Sequence, residues 1–313
     1  MPDSLEPDVA AFLALVAQGP KMSFRDMAVD DAREAVREMG AAFDAPADLS
    51  VAVQDAACRV DGRTIQVRCY TPPECRAAAP AMLFLHGGGW VAGDIDGYDS
   101  FCRFLARRSG LRVASVDYRR APETPFPGAV DDALCVARWL AAGAAPIGVI
   151  DGLVLAGDSA GGGIATALAG HADTQAMDVR GLLLFYPVLD VSRRAASYAE
   201  FAEGFLLEAD DMAYFIASYV PDEADRSDPR CSPLLHFEAG RMPPVALLTC
   251  GYDVLRDEGR AYAEICRAAG LNLCHVEAPG HIHGIVTLRK VIPSGVSYIE
   301  RVIDELLSAI GST

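Results

Sequence analysis

A serine on a glycine-rich turn, two histidines close together near the carboxyl end and an aspartate ahead of them carry the chemistry this chain could do. Ser159 sits in Gly157-Asp158-Ser159-Ala160-Gly161-Gly162, between the apolar run Leu153-Val154-Leu155-Ala156 and the small-residue segment Ile164-Ala165-Thr166-Ala167-Leu168-Ala169. That order reads as strand, sharp turn and helix with the serine at the apex, the G-x-S-x-G elbow that lifts a nucleophilic hydroxyl above a sheet. The crowding of such a turn requires small neighbours, and glycine and alanine stand where it is expected. Upstream, the strand-like run Ala81-Met82-Leu83-Phe84-Leu85 ends in His86-Gly87-Gly88-Gly89-Trp90. A glycine loop of this kind turns its amides inward and can stabilise the negative charge that builds on a carbonyl oxygen during acyl transfer. The donors expected are the N–H groups of Gly88, Gly89 and Ala160. A phosphate-binding loop is the competing reading, but no G-K-[ST] and no G-x-G-x-x-G pattern follows.

A serine nucleophile needs a base, and the base needs an acid that orients it, in the chain order Ser, Asp or Glu, His. Of six histidines, His86 belongs to the glycine loop, His171 ends the helix after the elbow, His236 is in a loop and His275 lies within a strand-like run. The remaining pair, His281 and His283, lies in the turn Pro279-Gly280-His281-Ile282-His283-Gly284, and His283 is preferred as base with His281 as the alternative. Asp253 follows the apolar strand Val245-Ala246-Leu247-Leu248-Thr249-Cys250, at a strand's carboxyl end where catalytic groups of open α/β sheets gather. Asp257 and Glu258 are close enough to be confused with it. They are expected to open the next helix, where acidic side chains complement the dipole. Asp158 is expected to hydrogen-bond neighbouring loops rather than to take part in the reaction.

These residues and their surroundings carry a resemblance that covers most of the chain. His86-Gly87-Gly88-Gly89-Trp90, Asp117-Tyr118-Arg119-Arg120-Ala121-Pro122-Glu123 with Phe126-Pro127, Gly157-Asp158-Ser159-Ala160-Gly161-Gly162, Tyr252-Asp253-Val254-Leu255-Arg256-Asp257-Glu258-Gly259 and Gly280-His281-Ile282-His283-Gly284 occur in this order. Together they resemble the bacterial hormone-sensitive lipase family of esterases. The resemblance implies an α/β-hydrolase fold with a helical cap, Ser159 as nucleophile, Asp253 as acid, His283 as base and the glycine loop as oxyanion hole. It implies a small-molecule ester as substrate, of short to medium acyl chain, and no cofactor. Departures are Val254 where proline commonly follows the acid, Tyr252 before it, and Ile285 where phenylalanine is usual; they bear on pocket shape. Two other readings use the same fold: an amidase of the arylformamidase type, and a binding protein that has lost catalysis, against which the presence of His283 argues.

The elements that must hold these residues alternate in the manner of a largely parallel sheet wrapped by helices. Strands are expected at 81–85, 111–117, 152–157, 180–186, 245–250 and 271–277, preceded by a hairpin that joins 57–60 to 64–70 through Asp61-Gly62. Amphipathic helices are expected over 8–17 and over 24–39, the second with Ser23 as N-cap and Gly40 as stop signal. Between Val188 and Pro243 no strand is expected, only an aromatic-rich helical segment with Phe201, Phe205, Met212, Tyr214, Phe215 and Tyr219. Residues 1–45 and an insertion at about 190–225 are therefore read as a cap on a catalytic domain spanning 46–313.

Composition narrows the alternatives. The 313 residues suffice for a large core. An excess of 43 acidic over 27 basic residues gives a net charge of −16, which disfavours nucleic acid and anionic membrane surfaces. No run reaches the 18 or so apolar residues of a membrane helix. The amino terminus lacks the basic stretch of a signal peptide, and the cytoplasm is the expected location. Nine scattered cysteines show no C-x-x-C or zinc spacing and are expected to be reduced thiols. No metal site is expected, because His281 and His283 lack a third ligand nearby, and a homodimer is left open.

Overall fold

The computed structural model describes residues 4–19, 23–60, 62–75 and 79–311. An eight-stranded sheet runs through it in the spatial order β1-β2-β4-β3-β5-β6-β7-β8. The strands are β1 (Ala52–Val60), β2 (Arg63–Thr71), β3 (Ala81–Leu85), β4 (Arg112–Asp117), β5 (Leu153–Asp158), β6 (Val179–Phe185), β7 (Val245–Tyr252) and β8 (Leu273–Ile282). β1 pairs antiparallel with β2 and β2 with β4, and every later pair is parallel. Gly62 takes a positive φ in the β1–β2 turn; Asp61, the other half of the expected turn signal, lies outside the described residues.

The central strands are buried on both faces, and this explains their continuous apolar character. Every residue of β3 and of β5 is buried. Alternation with period two then divides the core. Leu83, Leu85, Leu155, Leu184 and Leu247 face one apolar cluster together with Ile164 and Tyr262, whereas Met82, Phe84, Val154, Leu183 and Leu248 face the other with Phe101 and Val302. The first layer is formed by α4 (Gly128–Ala141), α5 (Ala160–Gly170) and α8 (Arg256–Ala268), the second by α3 (Asp99–Ser109) and α9 (Val296–Ala309).

Helix α1 (Pro7–Val16) sends Val9 and Phe12 into the second layer's core, and its Asp8 accepts hydrogen bonds from the Ser294 backbone and hydroxyl at 2.9 and 2.7 Å. Helix α2 (Val29–Phe43) differs from expectation at both ends. Residues 24–26 form a turn, no side chain caps the helix, and Asp30 and Asp31 supply the favourable charge in its first turn. Gly40 does not stop it: a Cβ there would lie 3.3 Å from the Gly97 carbonyl oxygen, so this glycine serves a close approach to the 94–98 loop. Arg33 and Arg37 reinforce that contact, Arg33 donating to the Val91 carbonyl at 2.9 Å and Arg37 to Asp94 at 2.6 Å.

The interval between β6 and β7 holds α6 (Ser197–Glu200), α7 (Ala209–Tyr219) and short 3-10 turns. Met212, Phe215, Ile216 and Tyr219 of α7 are buried, the i, i+3, i+4, i+7 stripe of an amphipathic helix. Phe215 meets Phe24 with ring centroids 4.9 Å apart, so the amino-terminal segment and this insertion touch.

Candidate active site

Ser159 follows β5 directly and opens α5 with φ 53° and ψ −122°, a backbone conformation that L side chains rarely adopt. Its N–H donates to the Phe185 carbonyl at 2.9 Å, and its carbonyl accepts from Val188 at 3.0 Å, which pins the strained residue to the end of β6 and the loop that follows it. Close packing beneath it demands glycine: a Cβ on Gly161 would collide with the Leu85 and His86 carbonyl oxygens. That contact draws the start of α5 against the end of β3, bringing the Ser159 turn beside the glycine loop.

Strands β7 and β8 deliver the other two groups. β8 does not end near Val276 as expected. It runs through Pro279 and Gly280 to Ile282, because a register shift between Cys250 and Tyr252 lets the pairing resume at Tyr252 and Ile282. Gly251 lies so close to the Pro279 carbonyl that it leaves no space for a side chain. His283 is thereby placed just past β8, and Asp253 just past β7. His283 Nε2 lies 2.9 Å from Ser159 Oγ, and Nδ1 lies 2.8 Å from Asp253 Oδ2. With its proton on Nδ1 the ring donates to the carboxylate and accepts from the serine hydroxyl. Asp253 Oδ1 accepts from the Leu255 N–H at 2.9 Å, so both oxygens of this buried carboxylate are engaged. Ser159 is 6% and His283 8% exposed.

His281 is not near the serine. Its Nε2 lies 2.9 Å from Ser294 Oγ, which in turn donates to Asp8, and its ring packs edge-on against Tyr298. Asp257 and Glu258 do open α8. Asp257 accepts from the Ser197 N–H, and Glu258 accepts from Leu189 and Asp190 while burial pushes its carboxyl up to about 8.

In the glycine loop, Gly88 and Gly89 have φ of 110° and 60°. Their N–H groups, and that of Ala160, donate to no acceptor among the described residues. Asp158 anchors the loop from behind: Oδ1 accepts from the Gly87 N–H at 2.7 Å and Oδ2 from the Tyr98 hydroxyl at 2.9 Å. Burial raises this carboxyl to about 7. His86, whose carbonyl accepts from Tyr118, stacks on the Tyr118 ring at 4.2 Å and is pushed down by burial to about 4, which keeps it neutral.

Tyr186 was not among the residues singled out from the sequence. It follows β6 with φ 36°, its ring sits 4.5 Å from the His283 ring, and its hydroxyl accepts from the Val286 N–H at 3.2 Å. The signal that could have found it is position, since it occupies a strand's carboxyl end as Ser159, Asp253 and His283 do. Tyr118, directly after β4, carries the same positional signal, and Tyr98 has none comparable.

Residues 82–287 match the family described as alpha/beta hydrolase fold. The chain belongs to that family. Its motif resemblance to bacterial hormone-sensitive lipase esterases agrees with proteins to which it is similar in sequence. It is 36% identical to an ethyl acetate hydrolase of Pseudomonas putida, over 97% of this chain and 98% of that one. It is 32% identical to the carboxylesterase NlhH of Mycobacterium tuberculosis, over 99% and 98%. Among solved structures, an ester hydrolase from the metagenome of Lake Arreo, in complex with a bipyridine phosphonate derivative, superposes with a TM-score of 0.91 at 34% identity, covering 98% of this chain and 99% of that one. Among the described residues no helix is long and apolar enough to cross a membrane.

Proposed function

We propose that this chain hydrolyses carboxylic esters of short to medium acyl chain through an acyl-enzyme on Ser159. The observation that carries the reading is His283 bridging Ser159 Oγ and Asp253 through its two ring nitrogens. Ser159 Oγ attacks the ester carbonyl while His283 Nε2 takes its proton, and Asp253 holds the ring in the tautomer that can do so. The oxyanion that forms is met by the N–H groups of Gly88, Gly89 and Ala160, which donate to no other acceptor among the described residues. His283 then gives its proton to the departing alkoxide. Water, deprotonated by the same histidine, attacks the acyl-enzyme and releases the acid.

The proposal includes the cap: residues 1–45 and about 190–225 would close over the catalytic domain formed by the rest of 46–313, a division supported by the Phe24–Phe215 contact. It includes a cytoplasmic location, in keeping with buried thiols such as Cys58, Cys102 and Cys250, and leaves a homodimer to be tested by sedimentation. The decisive test is a p-nitrophenyl alkylphosphonate, which phosphonylates an activated serine. One adduct on the Ser159 peptide with loss of ester hydrolysis is expected. Complete labelling elsewhere, or inactivation without an adduct on Ser159, would refute the assignment.

A further inference from the structure

Phe215 lies on the oxyanion loop itself. A Cβ added to Gly89 would fall among the Cγ, Cδ1 and Cδ2 atoms of its ring, so the ring rests on the Gly89 backbone. Phe24 packs beside it at 4.9 Å and Tyr214 at 5.7 Å, and Phe215 is 4% exposed. A ring confined in this way has little room to swing aside.

The chemistry divides the space above Ser159. The leaving oxygen must come within reach of His283 Nε2, because that nitrogen protonates it. The carbonyl oxygen must point to the amides of Gly88, Gly89 and Ala160. The acyl chain leaves the same carbon in the remaining direction, away from His283 and along the glycine loop, where Phe215 stands. On the other side, Leu206 reaches to 3.9 Å from where a Cβ of Gly284 would be, next to His283, and Phe205 packs on Tyr252 beside Asp253.

Resting on the ester-hydrolase reading above, we infer that Phe215 is the specificity-determining residue that limits the length of the acyl group, while Leu206 borders the alcohol. The enzyme is thus set for esters of small acids, with greater latitude in the alcohol. Gly89 acquires a second duty, since any larger residue there would displace the ring as well as strain the loop.

The test compares kcat/KM for p-nitrophenyl acetate, butyrate, hexanoate and octanoate, and for ethyl, butyl and hexyl acetate, in the wild type, Phe215→Ala, Phe215→Leu and Leu206→Ala. Phe215→Ala is expected to raise the octanoate-to-acetate ratio about tenfold or more, the gain from roughly two newly buried methylenes at about fourfold each. Phe215→Leu should shift it less and in the same direction, and Leu206→Ala should move the alcohol series only. A purely structural role for Phe215 would lower all esters alike. The inference is overturned if neither Phe215 variant moves the acyl ratio by threefold, or if the alcohol series moves instead; should Phe215→Ala fail to fold in a thermal melt, Phe215→Leu decides. A wild type inert towards every ester would sink the underlying reading, whereas an active wild type with unshifted variants sinks only this inference.

Discussion

Asp158→Asn should reveal a buried acid that works against the fold at alkaline pH. The carboxyl is 3% exposed, and burial lifts it from 3.8 to about 7, against the lowering effects of the Tyr98 hydroxyl, nearby His283 and the Gly87 N–H. Between those values the folded protein holds a proton that the unfolded chain has released. Stability contributed by Asp158 is therefore complete below about pH 4 and declines as the pH rises to about 7, above which it changes no further. Each pH unit well inside that window is worth about 1.4 kcal/mol, and the slope halves as the pH reaches 7, so the span from pH 5 to 7 costs the wild type about 2 kcal/mol. Asparagine is neutral throughout, so its stability relative to wild type should climb by that amount over the same interval. Its carbonyl still accepts from Gly87, but its amide nitrogen cannot accept from Tyr98, a constant loss of about 1 kcal/mol that leaves the slope intact. Urea unfolding of both proteins at pH 5, 6, 7 and 8 isolates the effect, since the titrations of groups not coupled to Asp158 cancel in the difference. Parallel stability curves between pH 5 and 8 would show that Asp158 is ionised throughout, and the argument from burial would fail.

Further substitutions address the site and its supports. Ser159→Ala and His283→Ala should each reduce kcat for p-nitrophenyl acetate by up to about a million-fold, the loss seen when a member of such a unit is removed, with the circular dichroism spectrum unchanged; a larger loss in His281→Ala would reverse the assignment of the base. Asp253→Asn should cost about ten-thousand-fold by favouring the wrong imidazole tautomer, and near-normal turnover would exclude Asp253 as the orienting acid. Asp44→Ala leaves Arg289 without the paired contacts it makes at 2.8 and 2.7 Å, both side chains being 4% exposed. Breaking a buried pair from one side costs about 3–5 kcal/mol, so urea unfolding should show a loss of that size, and a change below 1 kcal/mol would mean that solvent replaces the carboxylate.

What could be read from the sequence was whatever local pattern determines. β3 and β5 are apolar on both faces, so their runs are continuous and bounded by glycine and charge. The elements after them follow because a strand that ends at His86 or Ser159 must turn sharply. What could not be read depends on distant parts of the chain. Gly40 has the look of a helix stop, yet the Gly97 backbone packs against it and the helix continues. Pro279-Gly280 looks like a turn, but the irregular pairing opposite Gly251 carries the strand through it. His281 and His283 are indistinguishable by spacing, and only Ser294 and Asp8 occupy the first while Asp253 meets the second. Phe215 reads as one aromatic among several in an amphipathic helix until the glycine loop, far earlier in the chain, is folded beneath it.

Of the five non-glycine residues with positive φ among the described residues, Trp90, Ser159 and Tyr186 follow the carboxyl ends of β3, β5 and β6, whereas Asp178 precedes β6 and Leu206 lies in the insertion. Each such residue costs on the order of 1–3 kcal/mol and persists only where its surroundings overdetermine it. Here the surroundings are identifiable. Trp90 is stacked on Tyr219 at 4.6 Å, Ser159 is bonded through its backbone to Phe185 and Val188, and Tyr186 donates its N–H to the Leu248 carbonyl at 2.7 Å. The buried acid Asp158 lies in the same place, bonded to the loop that carries Gly88 and Gly89. Strain and desolvation are thus concentrated along one edge of a sheet whose central strands are fully buried, and that core can carry the cost. A sequence optimised for stability alone would have placed glycine at 159 and an apolar residue at 158, which is why this edge stands out as the candidate site independently of any resemblance.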